Sequence, residues 1–176
     1  MTFGASTTEL SVVHHGQELA HCVVPYAGTW IDQRLARENE YFLFDVHGNK
    51  YLDAMKVNSW KQKFEGSLLK PTGERAGQLA DVCRGMLDQT FRQAAPIVQE
   101  AISTGNLEGP IPLVIAGGTT RLHGFRELLA QSMEEIGFPA IISELRVVED
   151  SDFAVARGGL IHAELESSSN QQSIAA

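Results

Sequence analysis

Leu79, Val82, Cys83, Met86, Leu87, Phe91, Ala94, Ile97 and Val98 recur at intervals of three and four, the spacing that lines one face of an α-helix. At the rise of an α-helix this stripe runs about 30 Å. The rest of the chain must therefore offer an apolar surface of that length to cover it. Pro96 lacks an N–H and is expected to bend or divide the helix.

The covering surface is legible on either side of the stripe. Leu10 and Val12, then Leu19, Cys22, Val23 and Val24, flank His14-His15-Gly16-Gln17 and predict a β-hairpin behind an opening strand at Met1–Phe3. Ile111-Pro112-Leu113-Val114-Ile115-Ala116 is a short continuous apolar run ended by Gly117-Gly118. This is the pattern of a strand buried on both faces, expected to lie parallel to the first strand in the same sheet. Phe125, Leu128, Leu129, Met133 and Ile136 predict a second amphipathic helix, and Ala140-Ile141-Ile142 opens another strand. Trp30–Ala36 reads as a short helix capped by Thr29, Tyr41–Phe44 as a strand and Tyr51–Phe64 as a helix. Phe153–Ala163 reads as a closing helix with Asp152 at its start, and the polar stretch from Glu166 as a solvated tail. Hairpin, strand, helix, strand, helix makes an α/β domain with a mixed sheet, to which the 30s-to-60s region adds a small lobe.

Composition narrows the function classes. Fourteen Lys+Arg against 22 Asp+Glu leave a net charge of −8, which repels polyphosphate backbones and excludes nucleic acid as an expected partner. Two cysteines without a C-x-x-C pair give neither a zinc ribbon nor a disulfide framework. No stretch approaches the length of a membrane span, no signal peptide opens the chain, and a cytoplasmic location is expected.

Several clusters could carry chemistry. Gly4-Ala5-Ser6-Thr7-Thr8-Glu9 joins the first two strands with small residues and three hydroxyls, suited to face an anion or simply to make a Ser/Thr-rich turn. Gly117-Gly118-Thr119-Thr120 follows a strand and precedes a helix, where a phosphate or sugar can approach backbone, or where glycine merely serves the turn. His14, His15, His21 and Cys22 are either a metal cluster or surface and packed side chains, without regular ligand spacing. Glu134-Glu135 and Glu149-Asp150 read as solvated faces, and Trp30 and Trp60 as packing aromatics.

Taken in order, these segments resemble the actin-like ATPase superfamily, which includes actin, MreB-type filament proteins, heat-shock chaperone ATPases and sugar kinases. Thr2-Phe3-Gly4-Ala5-Ser6-Thr7-Thr8-Glu9 is similar to the phosphate-binding hairpin D-x-G-G-G-T-T-D of the second half of that ATPase. Ala27-Gly28-Thr29-Trp30-Ile31-Asp32 resembles the G-G-x-x-(I/L/F)-D element that opens a helix. Val114 to Phe125 resembles the adenosine motif, an apolar strand followed by G-G-x-(S/T)-R-(L/I)-x-G-(F/L). Asp152-Phe153-Ala154-Val155-Ala156-Arg157-Gly158-Gly159 resembles the hinge helix. Lys61-Gln62-Lys63-Phe64-Glu65-Gly66-Ser67 is similar, one residue out of step, to the adenine-lining helix of MreB-type proteins.

The resemblance implies a ribonuclease H-like, actin-type domain over residues 1–165, with a five-stranded mixed sheet flanked by helices, a reduced small lobe inserted at about 37–75 and a disordered tail over 166–176. It implies Mg-ATP or Mg-ADP as ligand. Gly4, Ser6, Thr7, Thr8 and Glu9 would face the phosphates. Gly28, Lys61, Lys63, Glu65, Gly117, Gly118, Thr119 and Arg121 would lie around the rest of the nucleotide. The family's opening Asp falls on Thr2, and the first ATPase domain is missing. The resemblance thus implies half a site, inactive alone, whose partners are that first domain and, in the parent protein, further copies in a filament. A chaperone-type fragment and a non-catalytic interaction module are the alternatives.

Overall fold

The computed structural model describes residues 1–148, 150, 153 and 156–164. Strands β1 (Thr2–Phe3), β2 (Thr8–His14) and β3 (Gln17–Val24) form an antiparallel meander in which Phe3 opposes Thr8 and Leu10 opposes Cys22. The chain continues through α1 (Gly28–Glu38), the hairpin β4 (Phe42–Phe44) and β5 (Lys50–Leu52), α2 (Ala54–Lys61) and the long α3 (Glu74–Thr104). Then come β6 (Ile111–Ile115), a 3-10 turn at Gly118–Arg121, α4 (Phe125–Glu135) and β7 (Ile142–Val147), with β6 and β7 paired in parallel. Residues 156–164 are helical and exposed.

The mixed α/β architecture matches the sequence, whereas the expected five-stranded sheet is not one continuous ladder. A three-stranded and a two-stranded sheet meet at a single parallel bridge, Thr2 to Ala116. Three bonds make this join: Met1 N to the Val114 carbonyl at 2.7 Å, Ala116 N to the Met1 carbonyl at 3.0 Å and Phe3 N to the Ala116 carbonyl at 2.8 Å. The bridge is short because β1 turns away at Gly4, where Gly4 N donates to the Thr7 carbonyl at 2.9 Å.

Helix α3 supplies the floor of the domain. Its stripe buries Leu79, Cys83, Met86, Leu87 and Phe91 with Phe3, Ile31, Ile115, Phe125 and Leu128. Further along, Ala94, Val98 and Ala101 meet Leu10, Val12, Cys22 and Val24 of the meander. Packing on both sides of Pro96 explains why the helix runs undivided through it. Phe3 and Phe125 meet edge to face at 5.0 Å, fixing the first strand to the start of α4.

Three local expectations change. The expected helix over Tyr51–Phe64 begins only at Ala54, because Lys50–Leu52 pairs with β4 and Asp53 caps α2 through the Lys56 N–H at 3.0 Å. Thr29 is not the cap of α1. Gly28 N and Thr29 N instead donate to the carbonyls of Gly4 and Ala5 at 3.2 and 2.7 Å. Strand β6 is not buried on both faces: its side chains alternate, and Val114 is 45% exposed. In the stretch expected as the small lobe, Val57 is buried in the main core cluster, and Leu52 and Trp60 pack against it. Asp152, Glu149 and the tail over 166–176 lie outside the described residues.

Candidate functional site

The first strand, the start of α1, the end of α2 and the turn after β6 converge on one open cleft of about 710 Å³. Of the residues singled out in the sequence, Gly4, Gly28, Lys61, Gly117, Gly118, Thr119 and Arg121 line it. Ser6, Thr7, Thr8, Glu9, Lys63 and Glu65 do not. Ser6 and Glu9 are exposed at and beyond the hairpin turn. Thr8 is buried, and its hydroxyl donates to the Tyr26 carbonyl at 2.6 Å, so that hydroxyl holds the chain together rather than facing the cleft.

The loop and α1 lock together. The two N–H groups that a helix start would leave open at Gly28 and Thr29 are already taken by Gly4 and Ala5. The cradle is therefore shaped by the docked loop, and anion capture by this helix end is not available at those two groups.

Lys61 lines the cleft and is also paired within the protein. It is 8% exposed, its Nζ lies 2.6 Å from Asp32 Oδ1, and it donates to the Gly28 carbonyl at 3.1 Å. Asn58 donates to the other oxygen of Asp32 at 2.8 Å. This cluster pins α2 to α1 under the cleft wall and spends the ammonium charge inside the protein. Cys83 lies against the same cluster. Burial, with the Asp32 carboxylate adding to it and Lys61 opposing, pushes its thiol up to about 12.

The two adjacent glycines are not equivalent. Gly117 has φ +114°, and a Cβ there would stand 2.7 Å from the Phe3 carbonyl carbon and overlap its oxygen. Glycine at 117 is thus required by the close approach of β1. Gly118 is exposed, and a Cβ there would have nothing within 4 Å. It presents bare backbone to the cleft. Thr120 closes the turn by donating to the Gly117 carbonyl at 2.7 Å.

Thr2, Phe3, Ala5, Asn58, Gln62, Phe64 and Leu122 complete the lining. Asn58, Lys61 and Gln62 share the face expected of helix positions three and four apart. That signal is present in the sequence but blurred by reading the helix from Tyr51. No carboxylate is among the lining residues. Among the described residues no group of three His, Cys, Asp or Glu is placed to hold a metal ion. The alternation of β3 turns Cys22 inward and His21 outward.

Residues 1–163 match the Volactin family. The chain belongs to that family. No curated protein sequence matches it. Its fold is that of the actin-like ATPase superfamily. MreB5 of Spiroplasma citri bound to AMPPNP superposes with a TM-score of 0.65 at 14% identity, over 98% of this chain and 54% of that one. A non-polymerising mutant of MamK bound to AMPPNP gives 0.62 at 18%, over 93% and 53%. The ethanolamine utilization protein EutJ from Carboxydothermus hydrogenoformans gives 0.55 at 20%, over 86% and 44%. The Volactin chain thus spans about half the length of these solved structures. No helix among its described residues is long and apolar enough to cross a membrane.

Proposed function

We propose that this chain is the second, nucleotide-binding half of a prokaryotic actin-like ATPase of the filament-forming kind, and that it does not hydrolyse ATP alone. The observation that supports this reading is the cleft itself. Gly4 and Ala5, the Gly28 end of α1 and the bare backbone of Gly118 meet in one open wall, and structures of similar fold carry AMPPNP. In this reading Gly4 and Ala5 lie toward the phosphates, and Gly118, Thr119 and Arg121 lie along the sugar and base. Asp32, Asn58 and Lys61 hold the two helices that shape the wall.

Mg²⁺ would accompany the phosphates and draw off their charge. The lining residues fit that role poorly. Thr2 stands where the family's carboxylate falls, and the cleft offers no Asp or Glu. The carboxylates and the water-positioning group are supplied, in this proposal, by a complementary first domain that closes over the wall and excludes solvent. A cytoplasmic location and self-association of the parent protein belong to the same proposal. The same Thr2 favours one second reading, a partner-binding module that keeps the fold without turnover.

Titration with ATP distinguishes them. The half-site reading expects weak binding, at a Kd above about 1 μM because only one wall is present, and hydrolysis at background. Gly118→Val should weaken binding about ten-fold while leaving the melting temperature unchanged. A chain that shows no nucleotide-dependent change at millimolar ATP is the interaction module instead.

A further inference from the structure

All five lysines of the chain lie between positions 50 and 70. Residues 41–75 carry six cations against four carboxylates, whereas the whole chain has a net charge of −8. The charge that repels anions elsewhere is reversed over this one stretch, and the stretch contains the β4–β5 hairpin.

The hairpin is apolar at its tip and cationic at its base. Leu43 and Tyr51 oppose each other on one face and are both more than half exposed, while Phe44 opposes Lys50 on the other face and is 67% exposed. Val46, in the turn, is 94% exposed. A hairpin that packs on a single flat partner needs apolar residues on one face only, because strand side chains alternate. Here both faces and the turn are apolar and bare. At the base, Lys50 Nζ lies 3.6 Å from the centre of the Phe42 ring and Lys56 Nζ 3.9 Å from that of Tyr41. The Arg75 guanidinium stands 4.3 Å from the Trp60 ring and 5.6 Å from Tyr41. Among the described residues no carboxylate pairs with any of these three cations. Asp53 is occupied as the cap of α2. Asp45 accepts from the N–H groups of His47 and Asn49, from Asn49 Nδ2 and from the Tyr51 hydroxyl, at 2.9, 2.8, 2.7 and 3.2 Å, so the turn satisfies its polar groups internally.

The hairpin also stands away from the nucleotide cleft. The cleft takes Gly28 at the start of α1 and Lys61 at the end of α2, whereas the hairpin joins the other ends of those two helices, Glu38 and Ala54. A domain that closes over the cleft wall therefore leaves the tip uncovered.

We propose that the β4–β5 hairpin docks the chain on an anionic bilayer surface. Phe44 and Val46 enter the boundary between headgroups and acyl chains, Leu43 and Tyr51 flank them, and Lys50, Lys56 and Arg75 lie against the lipid phosphates. An apolar tip without a polar face calls for a medium that surrounds it, and unpaired cations behind it call for negative charge; an anionic bilayer offers both. The lengths agree, since a three-residue strand spans about 10 Å and such insertion reaches about 5–10 Å. The charge of Asp45 keeps it at headgroup level. None of this rests on the half-ATPase reading.

The test is co-sedimentation of the 176-residue chain with phosphatidylcholine vesicles, with and without about one third phosphatidylglycerol. The chain should bind the anionic vesicles and not the neutral ones, and release as ionic strength rises from about 0.05 to about 0.5 M. Lys50→Gln and Lys56→Gln should each weaken binding about five-fold, and Phe44→Ser with Val46→Ser about ten-fold or more. All four positions are exposed, so these variants should melt as the wild type does. Val23→Ser, at an exposed apolar position on the meander, should bind as the wild type does. An environment-sensitive dye on Val46→Cys, selective because Cys22 and Cys83 are buried, should shift to the blue on anionic vesicles. Failure to bind them, equal binding to neutral vesicles, or binding that survives the Phe44 and Val46 changes overturns the proposal. A blue shift that grows with protein concentration in the absence of vesicles assigns the tip to a second copy and also overturns it. No nucleotide is present, so failure here is distinguishable from failure of the half-site reading.

Discussion

Replacing Lys61 by methionine removes one charge from a pair that is almost wholly out of solvent. The Lys61 and Asp32 side chains are 9% and 5% exposed, with Nζ and Oδ1 2.6 Å apart. The methionine keeps the length of the stem but leaves the Asp32 carboxylate buried against Asn58 alone and the Gly28 carbonyl without its donor. Breaking one partner of a buried pair costs about 3–5 kcal/mol. The Asn58 bond remains, so the lower end, about 3 kcal/mol, is expected. For a chain of this size that corresponds to a fall of about 6–12 °C in melting temperature. The assay is urea unfolding of the wild type, Lys61→Met, Asp32→Leu and the double variant. The double variant should recover most of the loss, within about 1 kcal/mol of the wild type, because two matched apolar side chains carry no desolvated charge. A single Lys61→Met variant that loses less than about 1 kcal/mol would show that Asp32 is hydrated or relocates, and would refute the pinning of α2 to α1 through this pair.

Gly117→Val should unfold the chain or prevent its expression as a folded protein, because the side chain would enter the Phe3 backbone, whereas Gly118→Val should melt as the wild type does; circular dichroism of the two decides it. Cys83 is raised to about 12 in the folded state from an ordinary 9.0. Between those values the unfolded chain releases a proton that the folded chain keeps, so stability should fall as pH rises, with a slope approaching about 1.4 kcal/mol per pH unit. Comparison with Cys83→Ala, which should lack that slope, is the check. Native-state alkylation at pH 8 should leave both Cys83 and Cys22 unmodified, because both thiols are buried and raised. Thr8→Ala should destabilise by about 1 kcal/mol through loss of its bond to the Tyr26 carbonyl, without a change in ATP affinity; paired melting and titration measure both.

The parts of the fold that show in the sequence are those set by one element's own periodicity. The α3 stripe, the β2–β3 alternation around His15-Gly16 and the apolar positions of α4 each announce themselves. What does not show depends on a second element. Tyr51 and Leu52 look like the start of a helix until β4 pairs with them. Val114 sits in an apolar run and is exposed, because nothing among the described residues covers that face of β6. The cleft follows the same rule. The order of the glycine motifs indicates where the wall is built, but Gly117 and Gly118 are indistinguishable until Phe3 is placed behind one of them. Lys61 reads as a ligand in a Lys/Glu-rich stretch, and only the packing of α2 on α1 brings it to Asp32. Thr8 belongs to a hydroxyl-rich turn in sequence, and its strand register carries it inward.

The most direct test of the half-site is a titration of the isotopically labelled chain with AMPPNP and Mg²⁺, followed residue by residue through backbone chemical shifts. If the chain is one wall of a nucleotide cleft, shifts should gather at Gly4, Ala5, Gly28, Gly118 and Arg121 and saturate only well above micromolar ligand. The β4–β5 hairpin around Asp45 should stay still. Sub-micromolar binding by the chain alone, or shifts centred away from the Gly4–Gly118 wall, would contradict it.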